Sequence, residues 1–143
     1  MYLDTSALVK LYVREPDSER VAALVKGRSL CASRLATVEL LSALLRKEQQ
    51  GEITVRTRKE AWMLWHFKVS LGYIHLEPLT RTVLSTAWEL LVRCHPDVPL
   101  RTLDAIQLAT FAQLDAGPLL TFDEKMRTAA RKLGYELIAP TSA

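Results

Sequence analysis

The sequence contains few cysteines and no long apolar run, and these absences exclude several classes of protein. Its two cysteines, Cys31 and Cys94, lie far apart, and no CxxC motif is present. A disulfide framework or a thiolate zinc site is therefore not expected, and a reducing compartment such as the cytoplasm fits best. The longest nearly apolar stretch, LATVELLSALL, is much shorter than the roughly 20 residues that cross a bilayer. We therefore expect neither a membrane span nor a signal peptide.

Signs of a domain boundary are also missing. Five glycines and six prolines are scattered over 143 residues without a low-complexity run or an internal repeat. A chain of this length with 49% hydrophobic residues can bury about two thirds of its extended surface. We therefore expect a single domain over residues 1–143. The net charge of +3 permits a polyanionic partner without requiring one, and the basic residues at 46–47 and 56–59 are typical of solvated helix ends.

Short apolar segments alternate with helical segments along the chain. The predicted strands are MYLD, SLCAS, YIHLEPL, PLLTF and YELIA. The predicted helices span residues 5–14, 17–27, 34–50, 54–71, 80–94, 102–116 and 123–134. Short strands that are apolar throughout indicate a parallel sheet that is covered on both faces. The sequence thus predicts an α/β fold, a three-layer α/β/α sandwich around a mainly parallel sheet of about five strands.

Two of the predicted strands end in an aspartate that is followed directly by a helix. Asp4 closes MYLD, and Asp123 closes LLTFD. Because ligands of open α/β sheets bind at the carboxyl ends of strands, two such acids can meet at one edge of the sheet. Each aspartate alone is more often a helix N-cap, since its carboxylate accepts backbone N–H bonds. The residues leave both interpretations open.

Two further acids lie in apolar surroundings within predicted helices. Glu39 sits in LATVELLSALL with apolar neighbours one turn away on its own face, where an unpaired carboxylate is costly. Alternatively, it shares a narrow solvated strip with Ser42. Asp104 follows a predicted N-cap at Thr102, and an acid in the first helical turn is commonplace. The apolar residues after it leave Asp104 and Gln107 as a polar pair on one side of that helix.

The four acidic segments together resemble the motifs of the PIN-domain ribonucleases, and most closely those of the VapC toxins of toxin–antitoxin pairs. The segments are YLDTSALVKLY with Asp4, ATVELLSALLR with Glu39, LRTLDAIQLATF with Asp104 and LLTFDEKM with Asp123. They occur in the family's order, cover the whole chain and retain all four acids. Ser6 matches a hydroxyl position of the first motif, and Thr121 matches a small polar residue that often precedes the last acid.

The resemblance implies an endoribonuclease that uses a divalent metal. Clustered carboxylates without cysteine or histidine are hard oxygen ligands that suit Mg²⁺ or Mn²⁺. Asp4 and Asp104 are expected to hold the ion, with Asp123 and Glu39 as direct or water-mediated supports. Such an ion lowers the pKa of a water molecule and stabilises charge at a phosphoryl group. The resemblance further implies in-line hydrolysis of RNA that leaves a 5′-phosphate and a 3′-hydroxyl.

Hydroxyl and amide side chains beside the acids are candidates for orienting roles. Ser6 is expected to orient a metal-bound water or a carboxylate, and Gln107 is a second candidate for a similar role. None of the three histidines has the spacing of a metal ligand, and packing or surface roles are expected for His66, His75 and His95. The expected site is therefore built from oxygen ligands.

The resemblance also implies protein partners, namely a second copy in a homodimer and a cognate antitoxin whose peptide lies in a hydrophobic groove. The fourth predicted helix is apolar over much of its circumference, with Trp62, Trp65 and Val69 on one stripe and Met63 and Phe67 on another. Most such residues belong to a core, but a domain of this size has a limited interior. This helix is therefore a candidate for the groove, and a basic antitoxin side chain is expected to reach the acidic site.

Three other functions remain compatible with the residues. A PIN-domain nuclease with a housekeeping role has the same four acids. A non-catalytic binding module uses the acids as caps and surface charges, and it shows no Mg²⁺ site in a titration. An aspartyl-phosphate phosphatase of the haloacid dehalogenase kind also has a nucleophilic aspartate after its first strand. That class has a second aspartate two residues later, where this chain has Ser6, and no matching downstream lysine segment is present.

Overall fold

A four-stranded sheet and seven helices make up residues 1–138, the part of the chain that the computed structural model describes. The strands are β1 (Tyr2–Leu3), β2 (Leu30–Ser33), β3 (Ile74–Glu77) and β4 (Leu119–Leu120). The helices are α1 (Thr5–Tyr12), α2 (Ser18–Val25), α3 (Leu35–Gln49), α4 (Val55–Ser70), α5 (Arg81–Cys94), α6 (Thr102–Ala112) and α7 (Glu124–Lys132). Every element lies within a segment for which the sequence predicts that type of structure.

The strands pair in parallel in the order β3-β2-β1-β4. Tyr2 pairs with Cys31 of β2 on one side and with Leu119 of β4 on the other. The chain thus builds outward from β1 to β3 and then returns to the opposite side of β1. This reversal of direction creates a crevice at the carboxyl ends of β1 and β4, where Asp4 and Asp123 follow their strands.

The predicted fifth strand, YELIA, is reduced to a single parallel bridge between Leu137 and Leu119. The backbone N–H of Ile138 donates to the carbonyl oxygen of Leu119 at 3.0 Å, which extends the pairing by one bond. Ala139, the last residue of that predicted strand, and the residues after it lie outside the described part of the chain. The predicted α/β fold is confirmed, with four strands and a bridge in place of about five strands.

Two clusters of buried apolar side chains cover the two faces of the sheet. Leu3 belongs to the cluster formed with helices α1 to α4, whereas its neighbour Tyr2 belongs to the cluster formed with α5 to α7. Adjacent residues of a strand point to opposite faces, so the two clusters lie on opposite sides of the sheet. The three-layer arrangement predicted from the sequence is therefore confirmed.

Helix α4 divides its apolar side chains between the first cluster and the surface. Trp65 is fully buried, and Trp62 and Val69 pack against the same cluster. The second stripe is exposed, with Met63 at 70% and Phe67 at 57% exposure. Among residues 1–138, no helix has the length and apolar character needed to cross a membrane.

Helix α6 ends at Ala112, four residues before the predicted end at Ala116. The N–H of Leu114 bonds to the carbonyl of Phe111 at 3.0 Å, which closes the last turn tightly, and the Leu114 side chain then packs against the second cluster. Gly117 follows with a positive φ of 69°, which turns the chain into β4. The packing of Leu114 thus accompanies an end of the helix that comes earlier than the local sequence pattern predicts.

Candidate active site

The four acids predicted from the sequence line one cleft at the carboxyl end of the sheet. Asp4 and Asp123 follow the paired strands β1 and β4, while Glu39 projects from α3 and Asp104 from the first turn of α6. The cleft has a volume of about 750 Å³. Four segments that are distant in the sequence therefore contribute one carboxylate each to the same cavity.

Asp4 is the most buried of the four acids, with 4% of its surface exposed. Its Oδ1 accepts the backbone N–H of Ala7 at 3.0 Å, so the residue caps α1 as well as lining the cleft. The hydroxyl of Ser6 donates to Oδ1 at 2.7 Å, and that of Thr121 donates to Oδ2 at 2.9 Å. Burial raises the pKa of Asp4 to about 6, although these hydrogen bonds lower it.

Two hydroxyl groups join the ends of β1 and β4. Ser6 Oγ accepts the backbone N–H of Phe122 at 2.8 Å, and the buried Thr121 Oγ1 accepts that of Asp123 at 3.1 Å. Both hydroxyls use their own proton for Asp4. Because each hydroxyl bonds to both segments, the pair fixes where Asp4 lies relative to the end of β4. Ser6 therefore contacts a carboxylate, which is one of the two groups, a metal-bound water or a carboxylate, that the sequence predicts it to orient.

Glu39 is half-buried and is held by side chains from two other helices. Thr5 Oγ1 donates to its Oε2 at 2.5 Å, and Gln107 Nε2 donates to both carboxylate oxygens at 3.3 Å. Burial raises the pKa of Glu39 despite these bonds, and the charge of Asp104 raises it further. Glu39 is thus not a freely solvated helix residue, although the exposed Ser42 shares its cleft wall.

Asp104 occupies the third position of α6 and reaches back across the first turn. Its Oδ2 accepts the backbone N–H of Arg101 at 3.4 Å, and Arg101 is the N-cap. The predicted N-cap at Thr102 is wrong because Thr102 is already helical. Burial and the neighbouring charge of Asp123 raise the pKa of Asp104. Asp123 itself caps α7 by accepting the N–H of Met126 at 2.9 Å.

The carboxylates interact with one another through their charges. The pKa of Asp104 responds to Asp123, and that of Glu39 responds to Asp104. A divalent cation would relieve this repulsion, and an all-oxygen donor set fits Mg²⁺ or Mn²⁺. Among residues 1–138, no group of three or more histidine, cysteine, aspartate or glutamate side chains is arranged as a ready metal site. The donor chemistry fits the predicted ion, while each carboxylate is held by hydrogen bonds to its own neighbours.

The structure adds residues that sequence reasoning did not single out. Thr5 directly follows Asp4, and this adjacency could have identified it as a partner for a cleft acid. No local sequence pattern could have identified Tyr2 as a partner of the site, because its hydroxyl donates to Gln107 Oε1, 105 positions away, at 2.5 Å. Arg46 and Arg101 are exposed on the cleft wall, although the sequence predicts only a solvated helix end at Arg46.

The three histidines lie outside this cleft. None of the three is among the residues that line the cleft. The ring of His66 packs edge-on against Trp62 with a centroid distance of 4.4 Å, and His75 lies within β3. His95 is the C-cap of α5. The polar groups of the cleft lining are therefore carboxylate, hydroxyl, amide and guanidinium groups, and they lie beside apolar side chains such as Val38 and Leu103.

Comparisons with known proteins identify both sequence relatives and structural neighbours. A family model described as PIN domain matches residues 1–132. The chain is 40% identical to Ribonuclease VapC46 of Mycobacterium tuberculosis over 144 residues, covering 99% of this chain and 98% of that protein. It is 29% identical to Ribonuclease VapC47 of the same species, covering 98% of this chain and 96% of that protein.

The solved structures share the fold at lower sequence identity. VapC20 of Mycobacterium tuberculosis, described as a toxin that cleaves the sarcin-ricin loop, matches with a TM-score of 0.68 and 22% identity over 90% of this chain and 93% of that chain. A toxin–antitoxin complex from Klebsiella pneumoniae matches with a TM-score of 0.63 and 17% identity over 99% of this chain and 98% of that chain. These likenesses concern the architecture of the sheet and its helices.

Proposed function

The chain belongs to the PIN-domain family, and we propose that it is a single-domain endoribonuclease of the VapC type over residues 1–143 that depends on a divalent metal. The convergence of four carboxylates on one cleft carries this proposal. A phosphatase with Asp4 as nucleophile is disfavoured, because Ser6 stands where a second acid is needed and its hydroxyl donates to Asp4. The family match and the ribonuclease relatives favour the nuclease over a binding module.

We assign the metal centre to the four cleft acids, Asp4, Glu39, Asp104 and Asp123, with Mg²⁺ or Mn²⁺ as the ion. When bound, the ion supplies an electrophile for the phosphoryl oxygens and a water of lowered pKa. The raised pKa values of Asp4, Glu39 and Asp104 support this assignment, because a cation would stabilise their ionised forms.

The other polar residues of the cleft hold the acids and attract the substrate. Ser6 donates to Asp4, and Thr5 and Gln107 donate to Glu39, so each of these two acids is oriented by neighbouring side chains. Arg46 and Arg101 place positive charge on the cleft wall, where RNA phosphates would pass. Hydrogen-bond donors thus orient two of the four acids, and the two arginines on the cleft wall favour binding of a polyanion such as RNA.

We further propose that the chain is the toxin of a toxin–antitoxin pair, acts in the cytoplasm and forms a homodimer. Its relatives support an antitoxin partner, since the structural neighbours include toxin–antitoxin complexes. Helices α4 and α5 both expose large apolar side chains, which is typical of protein-binding surfaces. The most exposed of them are Met63, Phe67, Trp88 and Val92.

The test is incubation of the purified chain with total RNA in Mg²⁺ or in EDTA, followed by sequencing of the cut ends. We expect cleavage in Mg²⁺ and none in EDTA. Asp4→Asn and Asp104→Asn each remove charge from the centre at nearly constant volume and should abolish cleavage without unfolding the chain. Asp115→Asn is the matched control, because Asp115 is exposed and lies outside the cleft. Near-wild-type activity in both cleft variants contradicts the metal-nuclease assignment.

A further inference from the structure

Gln107 is a buried polar side chain that connects the sheet to the cleft. It is 2% exposed. On one side its Oε1 accepts the hydroxyl proton of Tyr2 at 2.5 Å. On the other side its Nε2 donates to both oxygens of Glu39 at 3.3 Å and to Thr5 Oγ1 at 3.4 Å. A continuous chain of hydrogen bonds therefore runs from the interior of the sheet to a cleft acid.

The ionised carboxylate of Glu39 only accepts hydrogen bonds, so the NH₂ group of Gln107 faces Glu39 and the amide oxygen faces Tyr2. Tyr2 Oη accepts the backbone N–H of Ser33 at 3.2 Å, so the hydroxyl proton is free to donate to Gln107 Oε1. An amide whose oxygen is held in this way must present its NH₂ group to the opposite side, where Glu39 lies. The reversed amide would set a carbonyl oxygen against a carboxylate, with no proton between them.

We propose that Tyr2 and Gln107 are positioning residues that together hold the Glu39 carboxylate at the active site. The inference rests on the proposed function, because it concerns how one acid of that site is oriented. Tyr2 acts through Gln107, and Gln107 acts directly on Glu39. The three side chains belong to β1, α6 and α3, so the relay aligns Glu39 with the elements that also lead to Asp4 and Asp104.

Gln107→Met tests the relay by removing both amide donors at nearly constant volume. Partners that orient metal-binding side chains typically account for 10-fold to 100-fold in metal affinity or activity. We expect Gln107→Met to lower kcat/KM on RNA by about that factor, mainly through kcat, because Gln107 orients an acid and leaves substrate binding to other groups. Mn²⁺ affinity, measured by titration calorimetry without RNA, should fall as well.

Tyr2→Phe tests the buried end of the relay while keeping the ring. Without the hydroxyl, Gln107 Oε1 loses the bond from Tyr2 and the amide is held less firmly against Glu39, so we expect a roughly tenfold loss in kcat and weaker Mn²⁺ binding. Tyr12→Phe is the matched control. The Tyr12 hydroxyl is also buried but has no hydrogen-bond partner among the described residues, so its removal should change neither quantity.

Combined variants separate a relay from a general loss of stability. If Tyr2 acts only through Gln107, then Tyr2→Phe should cause no further loss of Mn²⁺ affinity in the Gln107→Met background. Likewise, Gln107→Met should cause none in the Glu39→Gln background. Two independent structural defects would instead give losses of Mn²⁺ affinity that add up in the double variant and that are larger in variants with a lower Tm. All assays are run about 20 °C below the Tm of each variant, and additive losses overturn the relay.

The outcomes also distinguish failure of the relay from failure of the proposed function. If Asp4→Asn is inactive while Gln107→Met stays within twofold of wild type in kcat/KM and in Mn²⁺ affinity, the relay is wrong and the nuclease assignment stands. If Asp4→Asn is itself fully active, both are wrong. Should Gln107→Met fail to fold, a wild-type Mn²⁺ affinity in Tyr2→Phe overturns the relay, and a weakened one supports it.

Discussion

Asp4 makes the stability of the metal-free protein depend on pH in a predictable direction. Burial raises its pKa from 3.8 to about 6. Between these two values the folded chain holds the proton more tightly than the unfolded chain, so the free energy of unfolding falls as the pH rises. The difference corresponds to about 3 kcal/mol, since each pKa unit is worth about 1.4 kcal/mol. For a chain of this length, that is a change in Tm on the order of 10 °C.

Asp4→Asn removes this titration while retaining an N-cap for α1. We expect unfolding in urea with EDTA to show the variant gaining stability relative to wild type from pH 4 to pH 7.5, by most of that amount. Lost or altered hydrogen bonds add a constant offset, so the change with pH is the quantity to measure. The pKa values of Glu39 and Asp104 are also raised by burial, but these acids titrate in both proteins and largely cancel.

Asp115→Asn, at an exposed position outside the cleft, serves as the control for the substitution itself. A difference between Asp4→Asn and wild type that stays constant within about 0.5 kcal/mol, the size of an ordinary surface effect, contradicts a raised pKa of Asp4. Saturating Mg²⁺ should flatten the wild-type pH dependence, since a cation stabilises the ionised carboxylate.

Three further predictions concern other parts of the molecule. Glu39→Gln should have a higher Tm than wild type in EDTA, because it removes one of the charges in the cleft. Its stability should rise less on addition of Mg²⁺. At about 100 times its Kd, Mg²⁺ adds roughly 2.7 kcal/mol to the free energy of unfolding of a protein with an intact site. The exposed Glu89 provides the control, and Glu89→Gln should match wild type in both Tm and Mg²⁺-induced Tm shift. The same result for Glu39→Gln would show that Glu39 is not part of the site. Trp65→Ala should lower the free energy of unfolding by about 3 to 5 kcal/mol, because Trp65 is fully buried. Trp88 is exposed, so Trp88→Ala should lower it by less than about 1 kcal/mol. Equal losses for the two variants in urea unfolding contradict the packing of α4. Expression of the chain alone should arrest bacterial growth and its cognate antitoxin should relieve the arrest, whereas harmless expression of an active nuclease contradicts the toxin assignment.

The helices could be predicted because their ends carry local signals. Thr54 and Thr80 each accept the N–H of a residue three positions later, and these caps begin α4 and α5 where the sequence indicates. Asp4 and Asp123 do the same for α1 and α7. Such contacts are contained within a few adjacent residues and therefore leave a recognisable pattern in the sequence.

The sheet order and the links between the acids could not be read from local patterns. Which side of β1 receives β4 depends on how the two buried clusters pack, and the bond from Tyr2 to Gln107 spans 105 positions. The four acids could be named because their motifs resemble a family. How Glu39 is held required the structure, since Thr5 and Gln107 approach it from α1 and α6.

The central place of β1 ties completion of the cleft to the docking of β4. Asp4 and Glu39 belong to the first third of the sequence, whereas Asp104 and Asp123 belong to the last third. The hydroxyl of Thr121 reaches Asp4 across 117 positions, and this contact forms only when β4 docks beside β1. Because synthesis proceeds from the N-terminus, a growing chain carries at most two of the four cleft acids until Asp104 is made. The cleft therefore stays incomplete until β4 has been synthesised and has paired with β1.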